Sequence, residues 1–172
     1  MTGKSMQLLL LVVFGFIVGA VLLPAPAAGA TVVRSATGSG QVEFTSDSGI
    51  TALRTFAFEA AKSSDGTVTG RAQVKNRATG QTLHIQIDCL NVIDNIAVLS
   101  GTATSATGPG NSDGDAEIFA VQDNGQGATE SPDKVTRAFG NSGLVCTDIT
   151  AGNVAQFTYL FTDVEGGNIQ IH

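Results

Sequence analysis

The sequence predicts an all-β fold, with a small antiparallel barrel of about eight to ten strands as the favoured architecture and a two-sheet β-sandwich as the alternative. Three observations lead to this prediction. Apolar residues alternate with polar ones along several segments, turn-forming residues separate those segments, and glycines interrupt some of them. After Ala30 we find no apolar series with the spacing of an amphipathic α-helix.

The alternation identifies the individual strands. Residues 83–89 give the clearest one, because Leu83, Ile85, Ile87 and Cys89 alternate with polar residues and therefore share one face of a strand. The same period of two occurs in four further segments, whose apolar members are Val42 and Phe44; Phe56, Phe58 and Ala60; Phe157, Tyr159 and Phe161; Ile169 and Ile171. Residues 117–121 are expected to form another strand, between long loops at 106–111 and 123–134.

Turn sequences and glycines favour a curved meander. Asp-Gly, Asn or Gly-Gly combinations occupy residues 63–66, 76–80, 94–95 and 165–168, and they supply the backbone conformations that tight hairpins require. Gly38, Gly40, Gly70 and Gly101 lie within strand patterns. Glycine at such positions typically marks a bend or a close approach, and strongly curved sheets need both.

The first thirty residues have the three parts of a cleavable secretory signal peptide. Lys4 provides a positive start, residues 8–23 are apolar throughout, and the segment ends in the small-residue sequence Ala28-Gly29-Ala30. The apolar run is shorter than the ~20 residues that span a bilayer comfortably, which argues against a retained anchor. We therefore expect cleavage after Ala30 and a single all-β domain over residues 31–172, located outside the cytoplasm: secreted, periplasmic or on the cell surface.

The charge balance is acidic. The chain has 9 Lys and Arg residues against 15 Asp and Glu residues, a formal net charge of −6. Loss of Lys4 with the signal peptide would make the net charge about −7. Because an acidic surface repels phosphate backbones and anionic lipid headgroups, nucleic acid is not expected as a partner. An integral membrane position is not expected once the signal peptide has been cleaved.

The chain contains two cysteines, Cys89 and Cys146, both within residues 31–172. An isolated pair in an oxidising compartment usually forms a disulfide, and we expect one here. Two reduced, buried thiols are the alternative.

Two acidic loops could bind Ca²⁺. Residues 111–117 place oxygen-bearing side chains at alternate positions, with Asp113, Asp115 and Glu117 as candidate ligands, and Asp123 opens the second loop. The match to an EF-hand is poor, because the glycine spacing and the flanking helices are missing. Acidic turns explain the same residues without a metal, so no cofactor is expected and calcium remains the candidate to test.

Motifs for catalysis are weak. Residues 31–172 contain two histidines, His84 and His172, and neither lies in a nucleophile motif or a zinc-ligand spacing. The absence of Trp and the single Tyr argue against a glycosidase, whose subsites are usually aromatic.

The order of several motifs resembles a family of uncharacterised bacterial secreted β-rich domains. The matching features are Val68-x-Gly70-x-Ala72-x-Val74, Cys89, the turn Asp123-Asn124-Gly125, Ser131-Pro132-Asp133 and the closing Gly166-Gly167-Asn168-Ile169-Gln170-Ile171-His172. The resemblance covers roughly residues 66–172 and implies an exported β-module with no known activity.

Three functions follow as hypotheses. The favoured one is a non-catalytic secreted module with a binding or a structural role in the envelope or outside the cell. Its barrel interior, lined by residues such as Phe56, Phe58, Ile85, Phe157 and Tyr159, could be packed or could hold one small apolar ligand. The second is a hydrolase or isomerase with a site at the barrel mouth, using Asp88, His84 or acids of the long loops. The third is an adhesion-type domain stabilised by Ca²⁺. A large cavity containing buried carboxylates would favour the enzyme, whereas a filled interior would favour the binding or structural module.

Overall fold

A computed structural model of the chain describes residues 29–45, 49, 51–108, 110–126, 129–140 and 142–172. These residues confirm the all-β prediction. The described ranges contain ten strands: β1 Val32–Thr45, β2 Thr51–Ser63, β3 Val68–Asn76, β4 Thr82–Ile93, β5 Ile96–Ala106, β6 Ala116–Gln122, β7 Lys134–Val135, β8 Phe139–Gly140, β9 Thr162–Asp163 and β10 Gly166–Ile171. Two 3₁₀ helices, Cys146–Asp148 and Val154–Leu160, lie between β8 and β9.

The signal-peptide prediction falls almost wholly on residues 1–28, which are outside the described residues. Within the ranges that the structure describes, no helix is long and apolar enough to cross a membrane.

All ten strands belong to one antiparallel sheet. Its order is β10-β1-β2-β3-β4-β5-β6-β7-β9, with β8 paired to β6 beside β7. Strands β1 to β6 therefore form the predicted meander, each hydrogen-bonded to the next along the chain. Residues with positive φ make its hairpins tight, among them Gly66 at 88° and Asp94 at 53°.

The sheet curls so strongly that its two ends meet. Val164 N donates to Asp133 O (2.8 Å) beside β7, and the next residue, Glu165, donates its N–H to Gln41 O (2.9 Å) in β1. Two consecutive residues thus bond to opposite ends of the strand order. The architecture is a strongly curled half-barrel, in line with the barrel prediction, and all ten strands lie in one sheet instead of the two of a sandwich.

Carboxylates close the seam, which is the gap in the ladder between β10 and the β6–β7 end of the sheet. Ile169 and Ile171 direct their N–H groups away from β1. Asp133 Oδ2 accepts the N–H of Ile169 at 2.7 Å, and Asp123 Oδ2 accepts that of Ile171 at 3.0 Å. Two side chains therefore satisfy the strand edge that a further strand would otherwise pair with.

Alternate residues of the long strands fill the interior. Gly38 is one of the inward positions of β1, and a Cβ there would lie 2.7 Å from Cε1 of Phe58. Glycine is required because the aromatic ring occupies that space. The buried interior residues include Ala36, Val42, Phe56, Phe58, Ala72, Leu83, Ile85, Ile87, Leu99, Phe119, Val121, Val135 and Ile169.

A second, smaller core lies on the outer face of β4, β5 and β6. The segment from the first 3₁₀ helix to Phe161 covers this face, so the stretch Ile96–Leu99 is buried on both sides of the sheet. The buried residues of this second core are Ile96, Val98, Ile118, Ala120, Cys146, Ile149 and Phe157.

The predicted strand through Phe157, Tyr159 and Phe161 is wrong. Residues Val154–Leu160 form a 3₁₀ helix, whose three residues per turn place Val154, Phe157 and Leu160 on one face toward the second core. Tyr159 lies on the opposite side and is 79% exposed. Neither Phe157 nor Tyr159 lines the barrel interior, whereas Phe56, Phe58 and Ile85 do.

The predicted disulfide between Cys89 and Cys146 is confirmed, with a Cα–Cα distance of 5.9 Å. It joins β4 to the first 3₁₀ helix and so fixes the covering segment on the outer face of the sheet. Asn91 adds to this attachment, because its Nδ2 donates to the carbonyl oxygens of Cys146 (3.2 Å) and Ile149 (2.6 Å).

Removal of the disulfide should lower the stability of the whole domain. The two cysteines are 57 residues apart, and the chain-entropy model for a loop of that size gives about 4 kcal/mol as an upper value. We expect the double variant C89A/C146A to lose about 2–4 kcal/mol of unfolding free energy, measured by urea denaturation. A loss below about 1 kcal/mol would show that the disulfide constrains the unfolded chain very little.

Candidate functional site: the interior cavity

A cavity of about 500 Å³ lies inside the curled sheet. It is situated at the end where β1, β3 and β5 finish and β2, β4 and β6 begin, which we call the open end. The meander explains the position, because β10 pairs with β1 only as far as Gln41 and leaves the last residues of β1 without that neighbour.

Apolar side chains form most of the cavity wall. Phe58 is central: its ring centroid lies 6.3 Å from that of Phe56 and 5.9 Å from that of Phe119, the latter pair meeting edge to face. Their partners in the wall are Val42, Phe44, Ala72, Val74, Leu83, Val135, Ala138 and Phe139. An eight-stranded barrel leaves an interior that side chains can fill or that can hold one small ligand. Here the open end is not filled.

Two arginines stand in this wall. Arg54 has the inward orientation of Phe56 and Phe58 on β2, and its Cζ lies 5.2 Å from the centroid of the Phe44 ring. Arg137 lies between β7 and β8, with its Cζ 5.2 Å from the centroid of the Phe139 ring. Both contacts have the geometry of cation–π interactions.

The guanidinium group of Arg54 has few interactions that compensate for its burial and its charge. Its Nε is buried and has no hydrogen-bond partner among the described residues. Burial, followed by repulsion from Arg137, lowers the pKa of the Arg54 guanidinium. The guanidinium remains a cation at neutral pH, because arginine is not deprotonated in proteins. The wall therefore carries two neighbouring positive charges.

The loop between β5 and β6 borders the open end, and its acidic residues fold it. Asp113 Oδ1 accepts the N–H of Ala106 at 2.7 Å, and Asp115 Oδ2 accepts the N–H of Ser112 at 2.7 Å. These bonds set the course of the loop, which brings Asn111 into the cavity wall. Both predicted metal ligands thus accept hydrogen bonds from the backbone.

Glu117 is a buried acid beside the cavity. The residue is 1% exposed, and neither carboxyl oxygen has a hydrogen-bond partner in the described part of the chain. Burial, and secondarily the charge of Asp115, raises the pKa of Glu117 from 4.5 to about 7. A Cβ built at Gly140 would lie 3.0 Å from Oε1 of Glu117 and 3.5 Å from Oδ1 of Asn111, and Gly140 and Asn111 both line the cavity. Glu117 itself is not among the residues that line the cavity, although it shares the inward face of β6 with Phe119.

The fourth predicted ligand lies elsewhere. Asp123 follows the far end of β6, six residues and roughly 20 Å from Glu117. Its carboxylate accepts the N–H groups of Gly125 (2.9 Å) and Ile171 (3.0 Å). The structure does not gather Asp113, Asp115, Glu117 and Asp123 into one site. In the described ranges no group of three or more His, Cys, Asp or Glu side chains could hold a metal ion, and calcium binding stays a prediction.

The residues suggested for an enzyme do not line the cavity. His84 and Asp88 belong to the alternate positions of β4 that point outward, and Asp88 is exposed. His172 is exposed too, although its backbone exchanges two hydrogen bonds with Ser35. Sequence reasoning missed Arg54 and Arg137. For Arg54 a signal was present, because it continues the inward series of Phe56, Phe58 and Ala60 by one step of two.

No protein-family model, curated protein or solved structure matches the chain. The resemblance to exported bacterial β-domains therefore stays a prediction, and function has to be inferred from the cavity itself.

The buried carboxyl of Glu117 should make stability depend on pH. Below about pH 4.5 the group is protonated in the folded and the unfolded chain. Between about 4.5 and 7 the unfolded chain loses its proton first, so the wild type should lose stability relative to E117Q as pH rises, by on the order of 3 kcal/mol in total.

Urea denaturation of both proteins at pH 4.5 and pH 8 measures this difference. The exposed Glu130→Gln is the control for loss of one carboxylate. A wild-type minus E117Q difference that is the same at both pH values would contradict the assignment.

Proposed function

We propose that the chain is an exported, non-catalytic β-domain that binds one small, largely apolar ligand in the cavity at its open end. The observation that carries this proposal is the wall itself. A volume of about 500 Å³ is bounded mainly by aromatic and aliphatic side chains, and no Asp, Glu, His or Cys occurs among the described residues that line it.

The size and composition of the cavity support ligand binding. Small-molecule sites are typically concave, about 300–1,000 Å³ in volume, mostly apolar, and supplied with a few polar groups that fix orientation. Empty apolar space in a packed interior costs stability, because the lining atoms lose dispersion contacts. A ligand that fills the space would restore those contacts, whereas a purely structural domain would gain more from larger side chains there.

Export is the second part of the proposal. The charged, apolar and small-residue parts of residues 1–30 favour it, and the Cys89–Cys146 disulfide fits an oxidising compartment. The ligand would accordingly be met in the cell envelope or outside the cell.

One observation favours an enzyme as the second candidate. Glu117 is a buried acid with a pKa near 7, next to a cavity, which is a recurring feature of general acid–base residues in hydrolases and isomerases. Against this reading, Glu117 is not among the residues that line the cavity. A shift in the Glu117 pKa when the cavity is occupied would bring this candidate forward.

Binding can be tested with N-phenyl-1-naphthylamine, an uncharged dye whose fluorescence rises in apolar surroundings. We expect saturable binding to the oxidised domain, and about tenfold weaker binding to Val74→Phe, because the added ring takes up cavity volume. Val68→Phe is the matched control: Val68 lies on the same face of β3 but at the far end, outside the cavity.

Equal binding to all three proteins would mean that the dye sits elsewhere, and absence of binding to the wild type would overturn the proposed function. Urea denaturation of each variant establishes that the comparison is made on folded protein.

A further inference from the structure

We infer that the ligand is an amphiphile with a single anionic group, which Arg54 and Arg137 hold at the open end while its apolar part lies against Phe56, Phe58 and Phe119. This inference rests on the proposed function, since it names the chemistry of the molecule that the cavity takes.

The charges of the wall are unbalanced. Neither arginine has an acidic side chain within 4.0 Å in the described ranges, where the ion pairs are Arg71–Glu59 and Lys134–Asp163, none of whose residues lines the cavity. Two neighbouring cations repel each other, and a buried guanidinium nitrogen without an acceptor carries a desolvation cost. An anion bound between them would offset both terms.

The chemistry of the two side chains selects the type of anion. Guanidinium groups offer several N–H donors in a fixed plane, which matches the paired oxygens of a carboxylate, sulfonate or phosphate. The aromatic rings of Phe44 and Phe139 back the two groups at 5.2 Å, which restricts where they can move. The wall also contains the amide side chains of Asn76, Gln81 and Asn111, further donors for an oxyanion.

The rest of the cavity excludes a simple inorganic ion as the preferred occupant. A compact anion would leave the apolar part of the wall, around Phe58, without contacts. An acyl chain or an aromatic ring attached to the anionic group would fill that part and gain the free energy of apolar burial. The protein as a whole is acidic, so attraction for an anion is confined to this local pair of cations.

A pair of dyes that differ in one group tests the inference. 1-Anilinonaphthalene-8-sulfonate has the ring system of N-phenyl-1-naphthylamine plus one sulfonate. We expect the wild type to bind the sulfonate dye about tenfold more tightly than the neutral dye, as hydrogen bonds to a charged group imply.

Arginine variants locate the effect. R137Q changes an exposed residue, so folding is not at risk, and it should weaken binding of the sulfonate dye about tenfold while changing the neutral dye less than about threefold. R54K keeps the charge but loses the planar fork, and a partial loss of the preference is expected. R71Q is the control, because Arg71 is exposed and lies outside the cavity.

Competition identifies the anionic group. Decanoate and decyl phosphate should displace the sulfonate dye at lower concentration than decanol does, and their order tells carboxylate from phosphate recognition. Equal affinity for the two dyes, or a preference that R137Q and R54K leave intact, would overturn the anion inference while leaving the proposed function standing. Failure of both dyes to bind would overturn both.

Discussion

The seam at Asp123 and Asp133 is the constraint on which the remaining structure depends. A six-strand meander curls and brings its two ends together, but β10 reaches the β6–β7 end with a row of backbone N–H groups and no strand to receive them. The two carboxylates accept those groups, and each also fixes its own loop through a second N–H: Asp123 through Gly125 and Asp133 through Asn124. Asp123, which the sequence suggests as a cation ligand, is thereby used with Asp133 to close the sheet.

The cavity is shaped by the sheet, which is closed by the seam at one end and open at the other. Where the seam is bonded, Ile169 and its neighbours fill the interior. Toward the open end β10 no longer pairs with β1. A cavity with two cations in its wall lies there, between Phe58 and the loops. The disulfide and the second core act on the outer face, where they hold the covering segment against β4 to β6. The covering segment is thus attached to the outer face of the sheet, while the cavity lies on its inner face. A binding site needs such a supported wall around it.

The antiparallel sheet could be predicted from the sequence because period-two alternation and tight turns are local properties. Sequence reasoning identified β1 to β4, β6, β10 and the disulfide, and it failed where two patterns coincide. Phe157, Tyr159 and Phe161 alternate, yet Val154, Phe157 and Leu160 also repeat every three residues, and contact with the second core decided for the 3₁₀ helix. The continuous apolar run Ile96–Leu99 is the signal that could have identified β5, because a strand that is buried on both faces shows no alternation. The approach of Arg137 to Arg54 depends on curling, which no local pattern encodes.

Amide hydrogen exchange at Ile169 and Ile171 tests the closure most directly. Exchange reports opening of individual hydrogen bonds, so both amides should be as protected as those of the central strands. In Asp133→Ala the amide of Ile169 should exchange roughly ten- to a hundredfold faster, as loss of a bond to a charged acceptor implies. The control Asp65→Ala, which removes a carboxylate that accepts the N–H of Thr67 in a remote turn, should leave Ile169 unchanged. Rapid exchange of Ile169 in the wild type, or no change in Asp133→Ala, would contradict the account.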